Sequence, residues 1–124
     1  MGRCKRLTVT AVGIDALGKT AYARNFNYGE CTAEPGNCGC IHAEAALLEV
    51  MSRPIMVMVS HSPCVSCAEK LINAGVLKVS YHQAYRIRDG IYMLRKNRVK
   101  VTKLSDKQWA EATKYIVAGD SNGR

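Results

Sequence analysis

His42, Glu44, Cys64 and Cys67 are the residues of this 124-residue chain whose types and spacing could do chemistry together. His42 offers one nitrogen, and the segment Cys64-Val65-Ser66-Cys67 offers two thiolates. Three N/S donors fill three corners of a tetrahedral zinc and leave the fourth open, the arrangement of a catalytic rather than a structural site. A water on such a zinc has its pKa drawn from about 15.7 toward about 7. Thiolates donate strongly and moderate that effect, so a carboxylate is needed to take the proton. Glu44 lies two residues beyond His42 and is not required as a ligand, so it is placed to act as base and then acid.

Each piece also has a plainer reading. A Cys-x-x-Cys at a helix start reads as a redox dithiol, and an isolated His as an ordinary polar residue. Redox chemistry, however, requires neither Pro63 before the first Cys nor a distant His-x-Glu. A four-thiolate structural site of Cys38, Cys40, Cys64 and Cys67 would rest on a Cys-x-Cys half, poorer than the usual Cys-x2–4-Cys. It would also leave Glu44 idle in a buried helix, where an unpaired carboxylate is costly. The joint pattern His-x-Glu … Pro-Cys-x-x-Cys favours the open zinc site. For Cys4, Cys31, Cys38 and Cys40, both buried free thiols and a second metal site drawing on His61 or His82 stay open.

The elements that must position these residues follow from periodicity and punctuation. Residues 7 to 14 read as a strand, 15 to 19 as a turn and 20 to 24 as the returning strand of a hairpin. The Asn-, Gly-, Pro- and Cys-rich stretch 25–39 is a loop. Residues 41 to 51 are strong helix formers, apolar almost all round, with Pro54 just beyond, which predicts a buried helix carrying His42 in its first turn. Residues 55 to 59 are a continuous apolar strand covered on both faces. The turn 61–63 leads into a helix over 64–74 closed by Gly75. A strand over 76–81, a helix over 89–97 and a strand over 98–104 follow. Ser105 and Gln108 form a capping box for a last helix through about Val117, and 119–124 is a polar tail.

The order β-β-α-β-α-β-α-β-α predicts an α/β fold of three layers, α-β-α. A five-stranded mixed sheet would carry helices on both faces, with its last two strands parallel because a helix joins them. The two ligand-bearing helix starts then meet at one end of the sheet, where such folds place their sites.

The length predicts a single domain over residues 1–124. The apolar runs are too short to cross a bilayer, and Arg3, Lys5 and Arg6 precede no segment of signal-peptide type. A cytoplasmic chain without membrane association is expected, with reduced thiols available for metal. The formal net charge of +8 favours anionic partners such as nucleotides or nucleic acid, and Lys and Arg form no run of like charge.

At the residues Cys40-Ile41-His42-Ala43-Glu44 and Pro63-Cys64-Val65-Ser66-Cys67 the chain resembles the cytidine/deoxycytidylate deaminase superfamily, nearest its deoxycytidylate (dCMP) branch. The segment 68–79, Tyr85-Arg86 and the stretch from Gly90-Ile91 to Val99-Lys100-Val101 resemble later parts of that branch. The resemblance implies the family's cytidine-deaminase-like fold and hydrolysis of dCMP to dUMP and ammonia. Zn2+ would sit on His42, Cys64 and Cys67, and water would attack C4 with Glu44 as proton shuttle. It further implies substrate contacts at Asn25, with Asn27 a rival for the sugar, and at Ala43, Ser62 and Pro63. It implies an oligomer, often a hexamer. Arg24, Arg86 and Arg88 are candidate phosphate donors.

Only a few residues precede Leu7 in this sequence, where family members usually have a helix, and Ala23 stands where a Gly is usual. Deaminases of tRNA adenosine or single-stranded DNA cytosine, a nucleoside deaminase, and a non-catalytic zinc module binding nucleic acid are the alternatives. The 6% aromatic content gives little to stack on single strands, and a structural site would have no use for Glu44.

Overall fold

The computed structural model describes residues 8–26, 41–84 and 88–120, with side chains to residue 114. Leu7, Cys4, Asn27, Cys31, Cys38, Cys40, Tyr85, Arg86 and residues 121–124 lie outside that range, and so do the expectations attached to them.

Nine elements appear in the expected order: β1 (Thr10–Asp15), β2 (Thr20–Arg24), α1 (Ala43–Val50), β3 (Pro54–His61), α2 (Val65–Asn73), β4 (Lys78–Gln83), α3 (Asp89–Lys96), β5 (Lys100–Lys103) and α4 (Asp106–Asp120). The strands form one sheet in the order β2-β1-β3-β4-β5. β1 runs antiparallel to both β2 and β3, while β3, β4 and β5 are parallel. The mixed sheet and the parallel last pair agree with the sequence reading.

Strand alternation sends Ala11, Val57, Val59, Val79, Tyr81 and Val101 to one face. There they pack with Ala43 and Leu47 of α1, Ala68 and Leu71 of α2, and Ile91 and Leu94 of α3. Leu47, Leu71 and Leu94 are fully buried, and each such side chain stabilises the fold by about 1.5–3 kcal/mol. Gly13 lets α1 lie close on the sheet, since a Cβ there would meet Met51 Sδ at 3.0 Å and Leu47 Cδ2 at 3.1 Å. On the other face α4 docks at β4. Its Trp109 stacks on His82 of β4 with ring centroids 5.7 Å apart, and Asp106 Oδ1 lies 2.6 Å from His82 Nε2. The capping box forms as read: Ser105 N–H donates to Gln108 Oε1 at 2.8 Å, and Gln108 N–H to Ser105 Oγ at 3.1 Å.

Two expectations about burial need correction. α1 is not buried all round: Ala43, Glu44, Ala46 and Leu47 face inward, but Glu49 is exposed and Val50 is 66% exposed. β3 is not covered equally on both faces. Val57 and Val59 are wholly buried against the helices, Met56 and Met58 are half-buried, and Ile55 is exposed. The physical reason is that α4 docks on β4, at His82, rather than across the middle of the sheet.

Element ends move for identifiable reasons. Ile41 is held extended by two backbone hydrogen bonds with Phe26, at 3.0 and 2.6 Å, so α1 starts after His42 rather than at Ile41. Val76 and Val99 donate back to Leu71 O and Leu94 O, which keeps both in helix-terminating turns and delays β4 and β5. No helix among the described residues is long and apolar enough to cross a membrane.

Candidate metal centre

His42 and Cys64 occupy equivalent places, each the N-cap residue of a helix and each with extended backbone, at φ/ψ of −71/152 and −74/172 degrees. His42 is set there by the Phe26–Ile41 bridge, which pins the residue before it. Cys64 is set there by the carboxyl end of β3, where Ser62 N–H donates to Gln83 O at 2.9 Å and Pro63 is fully buried. One turn of α2 then brings Cys67 round to the same side as Cys64. The first-turn N–H groups of α2 and its dipole favour negative charge on both sulfurs.

His42 Nδ1 lies 3.2 Å from Cys67 Sγ and 3.5 Å from Cys64 Sγ, and all three donor atoms lie within 4.8 Å of one another. Zinc bonds of about 2.3 Å to sulfur and 2.0 Å to nitrogen in a tetrahedron put N and S about 3.6 Å apart. The spacing and chemistry of the three donors therefore fit zinc. Among the described residues this is the one group of three or more His, Cys, Asp or Glu side chains close enough to hold a metal. Cys38 and Cys40 fall outside the described residues, and neither His61 nor His82 joins this group.

The electrostatics follow from placing two thiols and an imidazole together. Hydrogen bonds from Cys67 and His42 hold the Cys64 thiol far below its ordinary value, at about 3. Its hydrogen bond to Cys64, and then burial, push the Cys67 thiol up, so the pair resists carrying two negative charges by itself. A divalent cation removes that resistance. The His42 imidazole is raised, chiefly by its hydrogen bond with Cys64.

Glu44, in the first turn of α1, is 3% exposed, and burial pushes its carboxyl up to about 7. Its own backbone N–H, and the neighbouring His42 and Cys67, offset that rise only in part. A carboxyl group is thus buried against the donor set with its proton affinity matched to neutral solution, as acid–base work requires.

The other residues named from sequence fall around this cluster in different ways. Ala43 is buried beside His42, and Ser62 and Pro63 are buried immediately before Cys64. Asn25 is buried at the end of β2, with its Oδ1 accepting from Val9 N–H at 2.9 Å, so one of its roles is to pin β1 to that loop. Arg88 is exposed as the N-cap of α3.

One residue that matters here was not read from the sequence as part of the site. A Cβ on Gly90 would run into the Pro63 carbonyl oxygen and lie 2.9 Å from the Cys64 carbonyl carbon. The first turn of α3 therefore rests directly on the peptide that carries a metal ligand. A glycine inside a helix-forming stretch was the available signal, since it costs about 1 kcal/mol against Ala and asks for a packing reason. Gly90→Ala should cost roughly 1–3 kcal/mol through overpacking. It should also displace Cys64, seen as faster zinc loss to a chelator at a temperature where the protein remains folded.

Residues 1–83 match the family model for the cytidine and deoxycytidylate deaminase zinc-binding region. No curated protein is similar enough to this chain to count as a match. Among solved structures the chain is similar to dCMP deaminase from the cyanophage S-TIM5 in complex with dCMP and dUMP. Identity is 34% and the TM-score 0.71, over 82% of this chain and 84% of that one. The apo form of that enzyme gives 31% identity and a TM-score of 0.68, over 83% and 85% of the two chains. A Thermotoga maritima diaminohydroxyphosphoribosylaminopyrimidine deaminase/5-amino-6-(5-phosphoribosylamino)uracil reductase shares the fold at 18% identity and a TM-score of 0.61, over 77% of this chain and 29% of that one.

Proposed function

Because the chain belongs to the cytidine and deoxycytidylate deaminases, a family of zinc-binding hydrolytic deaminases, we propose that it converts dCMP to dUMP and ammonia. The observation that carries the chemistry is the donor set of His42, Cys64 and Cys67 with the buried carboxyl of Glu44 against it. The substrate rests on the similarity to an enzyme crystallised with dCMP and dUMP.

Zinc held by His42, Cys64 and Cys67 would supply the Lewis acid that makes a water nucleophilic near neutral pH. Glu44 would take a proton from the attacking water as the water oxygen adds to C4 of the cytosine ring, and would deliver it to N3. It then carries the second water proton to the 4-amino group. The C4–N bond breaks, ammonia leaves, and the oxygen remains as the uracil carbonyl. Burial suits Glu44 to both tasks, because a carboxyl near pKa 7 gives up its proton about as readily as it gains one at neutral pH.

Ala43 beside His42, and Ser62 and Pro63 just before Cys64, are the substrate contacts in this reading, with Asn25 for the sugar. The contact of Gly90 with the Pro63–Cys64 peptide brings the start of α3 to the site. That supports Arg88 as a phosphate donor, with Arg24 at the end of β2 as a second. The enzyme would act in the cytoplasm, where thiols stay reduced, and as a homo-oligomer. A polynucleotide substrate has less support. Flanking nucleotides need aromatic platforms, and the lone Trp109 is already engaged with His82.

Ammonia release from dC, dCMP, dCTP, CMP, adenosine and single-stranded DNA tests the reading. dCMP should lead, and Arg88→Ala should cost on the order of 10–100-fold in kcat/KM on dCMP but little on dC, as expected for a lost hydrogen bond to a charged group. Equal rates on dC and dCMP, or a preference for single-stranded DNA, would overturn it.

A further inference from the structure

The net positive charge of this chain arises in one segment. Between residues 70 and 105 there are nine Lys and Arg and a single carboxylate, Asp89, while the rest of the chain carries nine residues of each sign. The whole formal +8 therefore belongs to residues 70 to 105, although no run of like charges marks it. Five of these cations lie at the end of the fold where β4 and β5 begin, with Lys78 and Lys100 on the sheet face opposite α3. Arg95 and Lys96 end α3, Arg98 follows in the turn, Lys100 opens β5, and Lys78 opens β4. Among the described residues none of the five is ion-paired.

The fold gives up stability at this corner in two independent ways. Lys78 and Lys100 are direct partners across the parallel strands, an arrangement in which like charges repel. Arg98 sits in the left-handed region at φ 66, the one non-glycine to do so among the described residues. Any residue with a Cβ is disfavoured there, and Gly is not.

The chain itself supplies the comparison. α2 ends in the same turn, with Gly75 at φ 84, Gly75 N–H donating to Ile72 O at 3.0 Å and Val76 N–H to Leu71 O at 3.2 Å. At the end of α3, Arg98 N–H donates to Arg95 O and Val99 N–H to Leu94 O, both at 3.0 Å. The same turn, between the same Leu and Val, is made with Gly in one place and with Arg in the other. The backbone has no use for the arginine there, so its side chain is the reason to look for.

We propose that this corner binds the backbone of single-stranded nucleic acid, at a surface separate from the deamination site. It lies at the amino ends of β4 and β5, whereas Cys64 follows the carboxyl end of β3, the opposite end of the parallel strands. Its cations are set on a helix end, a turn and two strands. They therefore suit a succession of phosphates better than one phosphate held at a point. Tyr92 is 61% exposed and stands three and four residues before Arg95 and Lys96, on the same side of α3, where a base can stack.

The test uses the zinc-loaded protein and a fluorescent oligothymidylate, whose bases have no 4-amino group to be deaminated. Anisotropy should show binding that weakens with salt, by about 0.7 in the log–log slope for each phosphate contact. Arg98→Gly should weaken binding and make the slope shallower by about 0.7, with zinc content unchanged and a melting temperature equal or higher. Lys78→Gln/Lys100→Gln should weaken binding further without loss of stability. Four outcomes would overturn the proposal: no salt-dependent binding, binding unchanged in both variants, displacement of the oligothymidylate by dCMP, or duplex DNA bound as tightly as the single strand. Retention on phosphatidylserine vesicles without oligothymidylate binding would assign the corner to a membrane surface instead.

Discussion

Glu44→Gln is expected to leave the fold and the zinc in place and to remove nearly all turnover. The amide has the size and planarity of the carboxyl but cannot accept and return a proton. A single general acid–base group is worth about 10²–10⁴-fold in rate, and Glu44 serves two successive transfers, so the loss should lie at the upper end or beyond. Single-turnover ammonia release at saturating dCMP measures it. Zinc content and melting temperature, read on the same sample, separate a chemical from a structural defect. A mutant that turns over substantially at neutral pH removes Glu44 from the proposed role.

The same substitution should change stability in a pH-dependent way once zinc has been stripped. The folded carboxyl has a pKa of about 7 against an ordinary 4.5, because burial disfavours its charge. The folded state thus holds the proton more tightly than the unfolded state. Stability present below about pH 4.5 is lost as pH rises through about 7, and the full difference is on the order of 3 kcal/mol. Glu44→Gln has no charge to bury, so it should be more stable than the parent at pH 8 and equal to it at pH 4.

The site was readable because metal ligation imposes spacing that survives in the sequence. Cys64 and Cys67 must share one turn, and His42 and Glu44 must leave the same helix start. What could not be read depended on partners far along the chain. Ile41 opens a run of helix-forming residues, yet its pairing with Phe26 keeps it extended. Val50 is as apolar as Leu47 but lies on the side of α1 that none of the described residues covers. Gly90 looks like a weak helix residue until its contact with Pro63 and Cys64 is seen. Arg98 carries no sign of its left-handed backbone, which the turn after α3 imposes. The mixed sheet and its parallel last pair were legible because helix-separated strands leave few arrangements.

Loss of the metal is expected to cost the protein much of its stability as well as its activity. Cys67 is 2% exposed and joins α2 to His42 across the donor set, and its raised thiol carries a negative charge readily only on a cation, so a bound metal would tie the two helix starts together through it. A ligand that binds only the folded state stabilises it by about 4 kcal/mol at a free concentration 1,000 times its Kd. For a domain of this size that is a fall in melting temperature of roughly 10–20 °C when zinc is removed. Cys67→Ser should show the same fall without chelator, and adding chelator to it should change little. Acidification should also release zinc, because protons compete for His42 and both thiols, so zinc affinity drops as pH falls. The double variant His42→Ala/Cys67→Ser gives the sharpest readout. With one donor of the three remaining it should contain no zinc by elemental analysis, and stoichiometric zinc in that protein would place the metal on other residues of the chain.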